Sequence, residues 1–204
     1  MSFVLIDPSP FQATETDKIE IMHNTYFTDE LAKKFQARDN LLFISDIRSR
    51  ENRMEKQCEI EMENQKRWHK IINPKASMFK FRLPYAKGTS KYLDGKIYLP
   101  VWGGRTSTEA RLVCTTQQEK EYDHTEYGSQ MFHFNTVTRT TYFEHNVVGE
   151  GIDHCFDCSS EIFILKKYLE KYSKDKMNSL DKQISKMSHD LSRRISDERT
   201  LEIS

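Results

Sequence analysis

The sequence contains little glycine, proline or cysteine: there are seven, five and four of these residues among 204. The four cysteines are too few and too unevenly spaced to hold a chain of this length together by disulfides. We therefore expect reduced thiols and a reducing, intracellular compartment.

Long hydrophobic runs are absent, and so is an excess of charge. No apolar run approaches the roughly 20 residues of a membrane-spanning helix, and the N-terminus lacks the basic and apolar regions of a secretory signal. Lysine plus arginine equals aspartate plus glutamate at 31 each. Because no overall field attracts the chain to a polyanion, any nucleic-acid site must be a local basic patch. The sequence predicts a soluble protein with no membrane contact.

Short apolar runs alternate with segments of helical periodicity, which predicts an α/β sheet crossed by helices. Strands are predicted at residues 3–6, 19–22, 41–45, 77–83, 96–101 and 110–115. Helices are predicted at residues 28–34, 51–73, 126–145 and 161–172. We expect one domain over residues 1–172 and a polar tail, helical or disordered, over residues 173–204.

Two acidic residues end predicted strands, where ligands bind in open α/β sheets. Asp7 follows the first strand and Asp46 follows the strand at 41–45. An acid in this position accepts hydrogen bonds from both hydroxyls of a nucleoside ribose. The alternative is that each acid caps a neighbouring helix.

A lysine interrupts an apolar strand further along the chain. Lys80 lies between Phe79 and Phe81, where desolvation favours a neutral amine and hence a base. The alternative is an edge-strand lysine that reaches water. Glu109 directly precedes the strand predicted at 110–115, and its position alone indicates no function.

Together these residues and their surroundings resemble the poxvirus-type cap-specific mRNA 2′-O-methyltransferase family, which also serves as the regulatory subunit of poly(A) polymerase. The resemblance covers about residues 3 to 140 in order. Its motifs are Ile44-Ser45-Asp46-Ile47-Arg48-Ser49, Asn73-Pro74-Lys75-Ala76-Ser77-Met78-Phe79-Lys80-Phe81-Arg82-Leu83-Pro84-Tyr85 and Ser107-Thr108-Glu109-Ala110-Arg111-Leu112, with Met131, Asn135 and Arg139 beyond them.

The resemblance implies a Rossmann-like, S-adenosylmethionine-dependent methyltransferase with a Lys-Asp-Lys-Glu tetrad. Lys80 matches the second lysine of the tetrad, Asp46 its aspartate and Glu109 its glutamate. A ribose 2′-hydroxyl must lose its proton as it attacks the methyl group, and a lysine can orient the hydroxyl or accept that proton. The resemblance therefore assigns these three residues to catalysis.

The resemblance also implies binding residues. Asp7, Phe27 and Thr28 match the part of the family that binds the cofactor. The residues matching the RNA and cap side are Arg48, Arg82, Tyr85 and Asp123. An aromatic ring such as that of Tyr85 stacks on methylated guanine. Two positions depart from the family pattern: Lys87 replaces an acid and Thr106 replaces a tyrosine.

Several family features have no counterpart in this sequence. The first strand of the family, its Gly-rich cofactor turn and its first catalytic lysine are missing, and no glycine pair lies between a strand and a helix in the required order. The implied sheet order, 3-2-1-4-5-7-6, places the missing strand between the strands at 3–6 and 41–45. These strands then pair directly, or another polypeptide fills the gap, or the chain is a remnant of a longer gene.

A Cys-x-x-Cys pair with an adjacent histidine is a weak zinc signal. His154, Cys155 and Cys158 supply three of the four ligands that tetrahedral zinc needs, and His145 is a candidate fourth. The alternative, which we prefer, is two reduced cysteines at a helix start, and we predict no metal. Likewise, Lys166, Lys167, Lys171 and Lys174 are interpreted as a solvated helix face.

The leading hypothesis is therefore a truncated or split relative of a viral cap 2′-O-methyltransferase. Its alternatives are a non-catalytic RNA-binding or poly(A) polymerase regulatory subunit and an inactive remnant. The partners implied are capped mRNA and either the catalytic subunit of poly(A) polymerase or a chain that supplies the first strand. The location implied is the host cytoplasm or the virion of a large DNA virus.

Overall fold

The computed structural model describes residues 1–36, 38–47, 55–100, 106–149, 151–152, 154–174 and 177–196. The strands are β1 (Phe3–Ile6), β2 (Ile19–Met22), β3 (Leu42–Ser45), β4 (Ala76–Phe81), β5 (Thr89–Leu93), β6 (Lys96–Tyr98), β7 (Ala110–Cys114) and β8 (Glu119–Asp123). The helices are α1 (Asp29–Lys34), α2 (Glu55–Ile72), α3 (His124–His133), α4 (Arg139–Thr141), α5 (Phe156–Tyr172) and α6 (Leu180–Ser196), and a π-helical segment, Phe134–Thr138, joins α3 to α4.

The chain forms two compact units. The first comprises Met1–Tyr98 and Ala110–Asp123, and the second comprises Leu99–Glu109 and His124–Ser204. All eight strands belong to the first unit, whereas the second consists mainly of helices. The mixed α/β class predicted from the sequence is confirmed.

The strands of the first unit form three small sheets. Strands β1 and β2 are parallel, with Phe3 opposite Ile19. The central sheet has the order β3-β4-β7-β6, in which β3 and β4 are parallel while β7 is antiparallel to both of its neighbours. Strands β5 and β8 form an antiparallel pair. The strands predicted at 96–101 and 110–115 are thus neighbours in the central sheet, as β6 and β7.

Strands β1 and β3 contribute to one hydrophobic core although they belong to different sheets. Among the described residues, β1 pairs with β2 alone and β3 with β4 alone. Val4 and Phe43 nevertheless pack against the same buried cluster, whose members are Leu31, Ala32, Phe35, Trp68 and Ile72. Each large apolar side chain buried in this way contributes about 1.5–3 kcal/mol. Side-chain packing on α1 and α2 therefore joins the two sheets.

Helix α1 begins as the sequence predicts and is tied to α2. The hydroxyl of Thr28 accepts a hydrogen bond from the backbone N–H of Leu31 at 3.2 Å, which caps the helix. The indole N–H of Trp68 donates to Asp29 Oδ1 at 2.9 Å, and Arg67 forms an ion pair with the same carboxylate at 2.8 Å. The hydrogen bond from Arg67 holds the pKa of Asp29 below its usual value.

Helix α2 also carries buried polar side chains toward the sheet. His69 is 1% exposed; its Nδ1 lies 2.7 Å from Ser77 Oγ and its Nε2 lies 3.0 Å from the carbonyl oxygen of Thr116. Because a carbonyl only accepts, Nε2 carries the proton and Nδ1 accepts from the hydroxyl of Ser77. Burial lowers the pKa of His69, so the neutral ring links α2 to the sheet.

The second unit has its own core between α5 and α6. The buried cluster consists of Val147, Ile162, Leu165, Leu169 and Ile184. Ile184 lies in the stretch predicted to be a polar tail, and it is fully buried. Sparse apolar residues thus suffice to bring α6 against α5.

The predicted elements differ from the observed ones in two respects. Strands β5 and β8 are additional to those predicted from the sequence. The helix predicted at residues 126–145 is instead α3 and α4 with the π-helical segment between them. Residues 51–54, the start of the helix predicted at 51–73, lie outside the described residues, as do Gly103 and Gly104.

Burial of His69 predicts that stability depends on pH. With the pKa lowered in the fold, the unfolded chain binds the proton more tightly. The free energy of unfolding is therefore highest above the unfolded pKa of 6.5 and falls as the pH drops toward the folded pKa. The slope for one group is at most about 1.4 kcal/mol per pH unit.

Urea titrations between about pH 5 and pH 8 measure this slope. The variant His69→Gln is expected to lose the contribution, whereas His133→Gln, at an exposed position, keeps the slope of the parent. Identical slopes for the parent and His69→Gln would contradict the assignment.

Candidate functional site

Three charged side chains meet at the central sheet of the first unit. Lys80 Nζ lies 3.6 Å from Asp46 Oδ1, and Arg111 Nη2 lies 2.9 Å from the same oxygen. The side chains of Lys80 and Arg111 are 15% and 30% exposed, whereas that of Asp46 is 59% exposed. The carboxylate is thus held by two cations while it remains accessible to a ligand.

The register of the sheet brings these three side chains together. Lys80 of β4 is directly opposite Arg111 of β7, so both side chains project from one face. Phe79 projects from the other face and packs edge-on against His69 of α2. Asp46 immediately follows β3, the parallel neighbour of β4. Three adjacent strands therefore supply the cluster on the face that α2 leaves open.

Helix α2 fixes the backbone at Lys80. The side-chain amide of Gln65 donates to the carbonyl oxygen of Lys80 at 3.1 Å, and Gln65 is 1% exposed. A hydrogen bond buried in this way contributes about 1 kcal/mol and restrains the strand at this residue. The position of the Lys80 amine thus depends on a contact beneath the sheet.

Glu109 belongs to the second unit, where helix α3 and the π-helical segment hold the residues that precede it. The hydroxyl of Tyr127 donates to the carbonyl of Thr108 at 2.5 Å, and the side-chain amide of Asn135 donates to the carbonyl of Ser107 at 2.8 Å. The backbone N–H of Glu109 donates to Ser107 Oγ at 3.2 Å. Glu109 therefore follows a stretch of backbone fixed by two buried side chains.

The residues matched to the cofactor side occupy different environments. Asp7 is exposed at the carboxyl end of β1, and its Oδ1 accepts from the backbone N–H of Ser9 at 2.7 Å. A carboxylate in this position can still accept from the hydroxyls of a ribose. Phe27 instead packs against Phe43 and Trp68, at centroid distances of 5.4 and 4.9 Å. Thr28 caps α1, whereas Asp7 presents its carboxylate to solvent.

The residues matched to the cap side include an exposed aromatic ring paired with a cation. The guanidinium carbon of Arg82 lies 4.5 Å from the ring centroid of Tyr85, whose side chain is 64% exposed. Asp123 is exposed at the end of β8, opposite Thr89. Arg48 lies outside the described residues. The Arg82–Tyr85 pair is therefore an open platform on which a flat ligand can stack.

In the described part of the chain, the cysteines belong to no group that could hold a metal ion. His154 stacks on His145 with ring centroids 4.3 Å apart. In that part of the chain, no three His, Cys, Asp or Glu side chains are grouped so that they could hold a metal ion. Burial raises the pKa of Cys114 to about 12, so its thiol stays protonated.

Among the described helices, none is long and apolar enough to cross a membrane.

Several residues of the site were assigned no role from the sequence. Arg111 fell within a recognised motif, but its contact with Asp46 depends on strand register. Tyr127 and Gln65 lie in segments predicted to be helical, and helical periodicity assigns neither side chain a contact. Alternation in β7 places Arg111 on the same face as Val113, and a correct pairing of β4 with β7 would have shown its position.

Comparison with known proteins identifies the family. In open α/β sheets, ligands bind outside the carboxyl ends of the strands. The family described as poly A polymerase regulatory subunit matches residues 2–195, which is nearly the whole chain. The chain therefore belongs to the poly(A) polymerase regulatory subunit family, which is methyltransferase-like. A search of curated proteins finds no significant match.

The hydrogen bond from Tyr127 predicts a local effect on Glu109. The variant Tyr127→Phe removes the bond to Thr108 and is expected to destabilise the fold by about 1 kcal/mol. Hydrogen exchange at the Glu109 amide should accelerate, because the neighbouring backbone is less restrained. Urea denaturation and amide-exchange mass spectrometry measure the two effects. Tyr142→Phe, at a 64% exposed ring, is the control and should change neither quantity.

Proposed function

We propose that this chain carries the RNA-acceptor part of a cap-specific mRNA 2′-O-methyltransferase site. The observation that carries the proposal is the contact of Lys80 and Arg111 with Asp46 at the strand ends. It is supported by the family match over residues 2–195. Catalytic roles are proposed for Asp46, Lys80 and Glu109, and Arg111 is proposed as a positioning residue for Asp46.

The proposed chemistry is the removal of the proton from a ribose 2′-hydroxyl. A 2′-oxygen becomes nucleophilic as it loses its proton; Lys80 Nζ is proposed to orient that hydroxyl and, with its amine in the neutral form, to accept the proton. Asp46 holds the amine in place from 3.6 Å, and Arg111 in turn holds Asp46. S-Adenosylmethionine supplies the methyl group when bound, with Asp7 proposed to contact its ribose.

A further polypeptide segment is part of the proposal. Strands β1 and β3 pack on one core, and each is paired on one side among the described residues. A strand edge presents N–H and C=O groups that require partners when buried. We propose that a strand supplied by another segment lies between them and brings the Gly-rich turn that this sequence lacks.

A second candidate function is a non-catalytic subunit that binds RNA or the catalytic subunit of poly(A) polymerase. The description of the matched family as a regulatory subunit favours it. Under either function, the proposed setting is the cytoplasmic transcription and mRNA processing of a large DNA virus.

Methyl transfer by Lys80 variants tests the proposal. The purified chain is incubated with labelled S-adenosylmethionine and capped RNA, and label at the 2′-oxygen is measured. Lys80→Met is expected to lower the rate by at least about a hundredfold, the contribution typical of a general base. Lys75→Met removes the same charge from an exposed lysine just before β4 and should retain the rate.

If the folded parent transfers no methyl group, autonomous catalysis is rejected. The assay is then repeated with the N-terminal segment of a family member added, because the proposal requires a completing strand. Activity restored by the segment supports the proposal, whereas inactivity with it leaves the non-catalytic function in its place.

The Arg82–Tyr85 pair predicts recognition of the cap by stacking. Tyr85→Ala is expected to weaken binding of 7-methyl-GTP about tenfold, because a cationic base gains from an aromatic face. Calorimetric titration measures the affinity, with unmethylated GTP as the comparison ligand. Tyr98→Ala is a matched control, since Lys96 lies 5.1 Å from that exposed ring. Equal affinities for the parent and Tyr85→Ala would exclude Tyr85 from the cap site.

A further inference from the structure

Two cysteines lie three positions apart at the start of helix α5 in the second unit. Cys155 is the N-cap residue of α5, and Cys158 lies in its first turn. Residues with this spacing have Cα atoms about 5 Å apart, because a helix rises about 1.5 Å per residue at a radius of about 2.3 Å. A disulfide needs Cα atoms about 4.4–6.8 Å apart. The spacing therefore suits a bond between the two sulfurs without a large change in the backbone.

The two thiols differ in exposure, and both differ from the other cysteines of the chain. Cys155 is exposed and Cys158 is half-buried, whereas Cys58 and Cys114 are buried. Burial also raises the pKa of Cys114 to about 12, so that thiol is not available as a thiolate. Since the thiolate is the attacking form of cysteine, a reagent in solution reacts at the start of α5 rather than at the buried positions, and it meets Cys155 first.

Hydrogen bonds hold the backbone around Cys155. The backbone N–H of Ser159 donates to the carbonyl oxygen of Cys155 at 2.8 Å, and the Ser159 hydroxyl donates to the carbonyl oxygen of His154 at 3.5 Å. Ser159 itself is buried, and the ring of His154 stacks on that of His145 with centroids 4.3 Å apart. The start of α5 thus keeps the backbone of Cys155 in place while its side chain is open to solvent.

We propose that Cys155 and Cys158 form a thiol–disulfide exchange site that reacts with small-molecule disulfides such as oxidised glutathione. An accessible thiol with a second thiol close by is the arrangement of redox-responsive cysteines. In a reducing compartment the resting form is the dithiol, in agreement with the reduced thiols expected from the sequence. Neither methyl transfer nor RNA binding involves these two residues, so the proposal goes beyond both functions proposed above.

The exchange takes place in two steps. The Cys155 thiolate attacks one sulfur of the reagent disulfide, so that a mixed disulfide forms and one thiolate leaves. The Cys158 thiolate then attacks the sulfur of Cys155, which breaks the mixed disulfide and releases the second thiolate. The protons of the two cysteine thiols pass through solvent to the leaving thiolates. The cysteine pair is thereby oxidised by two electrons, and the reagent disulfide is reduced to two thiols.

The test uses the whole reduced chain with an excess of oxidised glutathione, followed by a maleimide quench in denaturant and tryptic mass spectrometry. Residues 140–166 contain both cysteines and no internal lysine or arginine, so trypsin releases them as one peptide. In the parent, this peptide is expected to lose two hydrogens and to carry no maleimide. Dithiothreitol added before the quench should restore two labels, whereas Cys58 and Cys114 lie in other peptides and should be labelled throughout.

Two variants separate the steps. Cys158→Ser is expected to stop at the mixed disulfide, so that glutathione remains attached to Cys155. Cys155→Ser retains only the half-buried thiol of the pair and should react with oxidised glutathione at least about tenfold more slowly, because reactivity follows exposure. Cys58→Ala, at a buried position, is the matched control and should form the disulfide at the rate of the parent. Circular dichroism checks that each variant is folded like the parent.

Several results would overturn the proposal: a parent peptide that keeps both labels, a parent that stops at the mixed disulfide, a disulfide that joins two chains, or equal rates for the parent and Cys155→Ser. Lys80→Met should form the disulfide like the parent, whereas methyl transfer is expected to fail in that variant. Thiol–disulfide exchange and methyl transfer therefore succeed or fail in separate measurements.

Discussion

The packing of α2 against the sheet is the interaction on which the first unit depends. Three residues within five positions of this helix have different tasks. Gln65 holds the carbonyl of Lys80, Trp68 lies in the core shared by the β1–β2 sheet and the central sheet, and His69 joins Ser77 to Thr116. Since buried polar groups are costly without partners, these contacts also restrict how α2 lies on the sheet. Asp46 and Arg111 lie on the open face of the sheet, and the contacts of α2 on the other face hold the strands that carry them.

The sequence was sufficient for the elements whose apolar pattern is strong. Strand β4 alternates between buried and half-buried residues, and it was predicted to within two residues at each end. Strand β8 was missed because it reads Glu119-Lys120-Glu121-Tyr122-Asp123, with Tyr122 alone buried. Its partner β5 is similarly polar. Such strands are specified by pairing with each other, which no local pattern reports.

Only part of the candidate site was predictable, because local patterns reveal some of its residues whereas strand pairing determines the others. Asp46 and Lys80 were found from strand ends and a lysine in an apolar run, and the structure brings them together. Arg111 could not be assigned the same way, because its role depends on lying opposite Lys80 in an antiparallel pair 31 residues away. The hydrogen bond from Asn135 arises in a π-helical turn, and a helical pattern alone does not reveal where such a turn occurs.

The way β1 and β3 share a core has a mechanical consequence. Neighbouring strands in a sheet are usually joined by a ladder of directional hydrogen bonds, which must break together if the strands separate. In the described residues, the boundary between these two strands is instead crossed by apolar side chains around Trp68. Apolar contacts have no preferred direction, so they yield gradually as surfaces slide or part. We therefore expect the β1–β2 pair to shift relative to the central sheet more easily than strands joined by hydrogen bonds would.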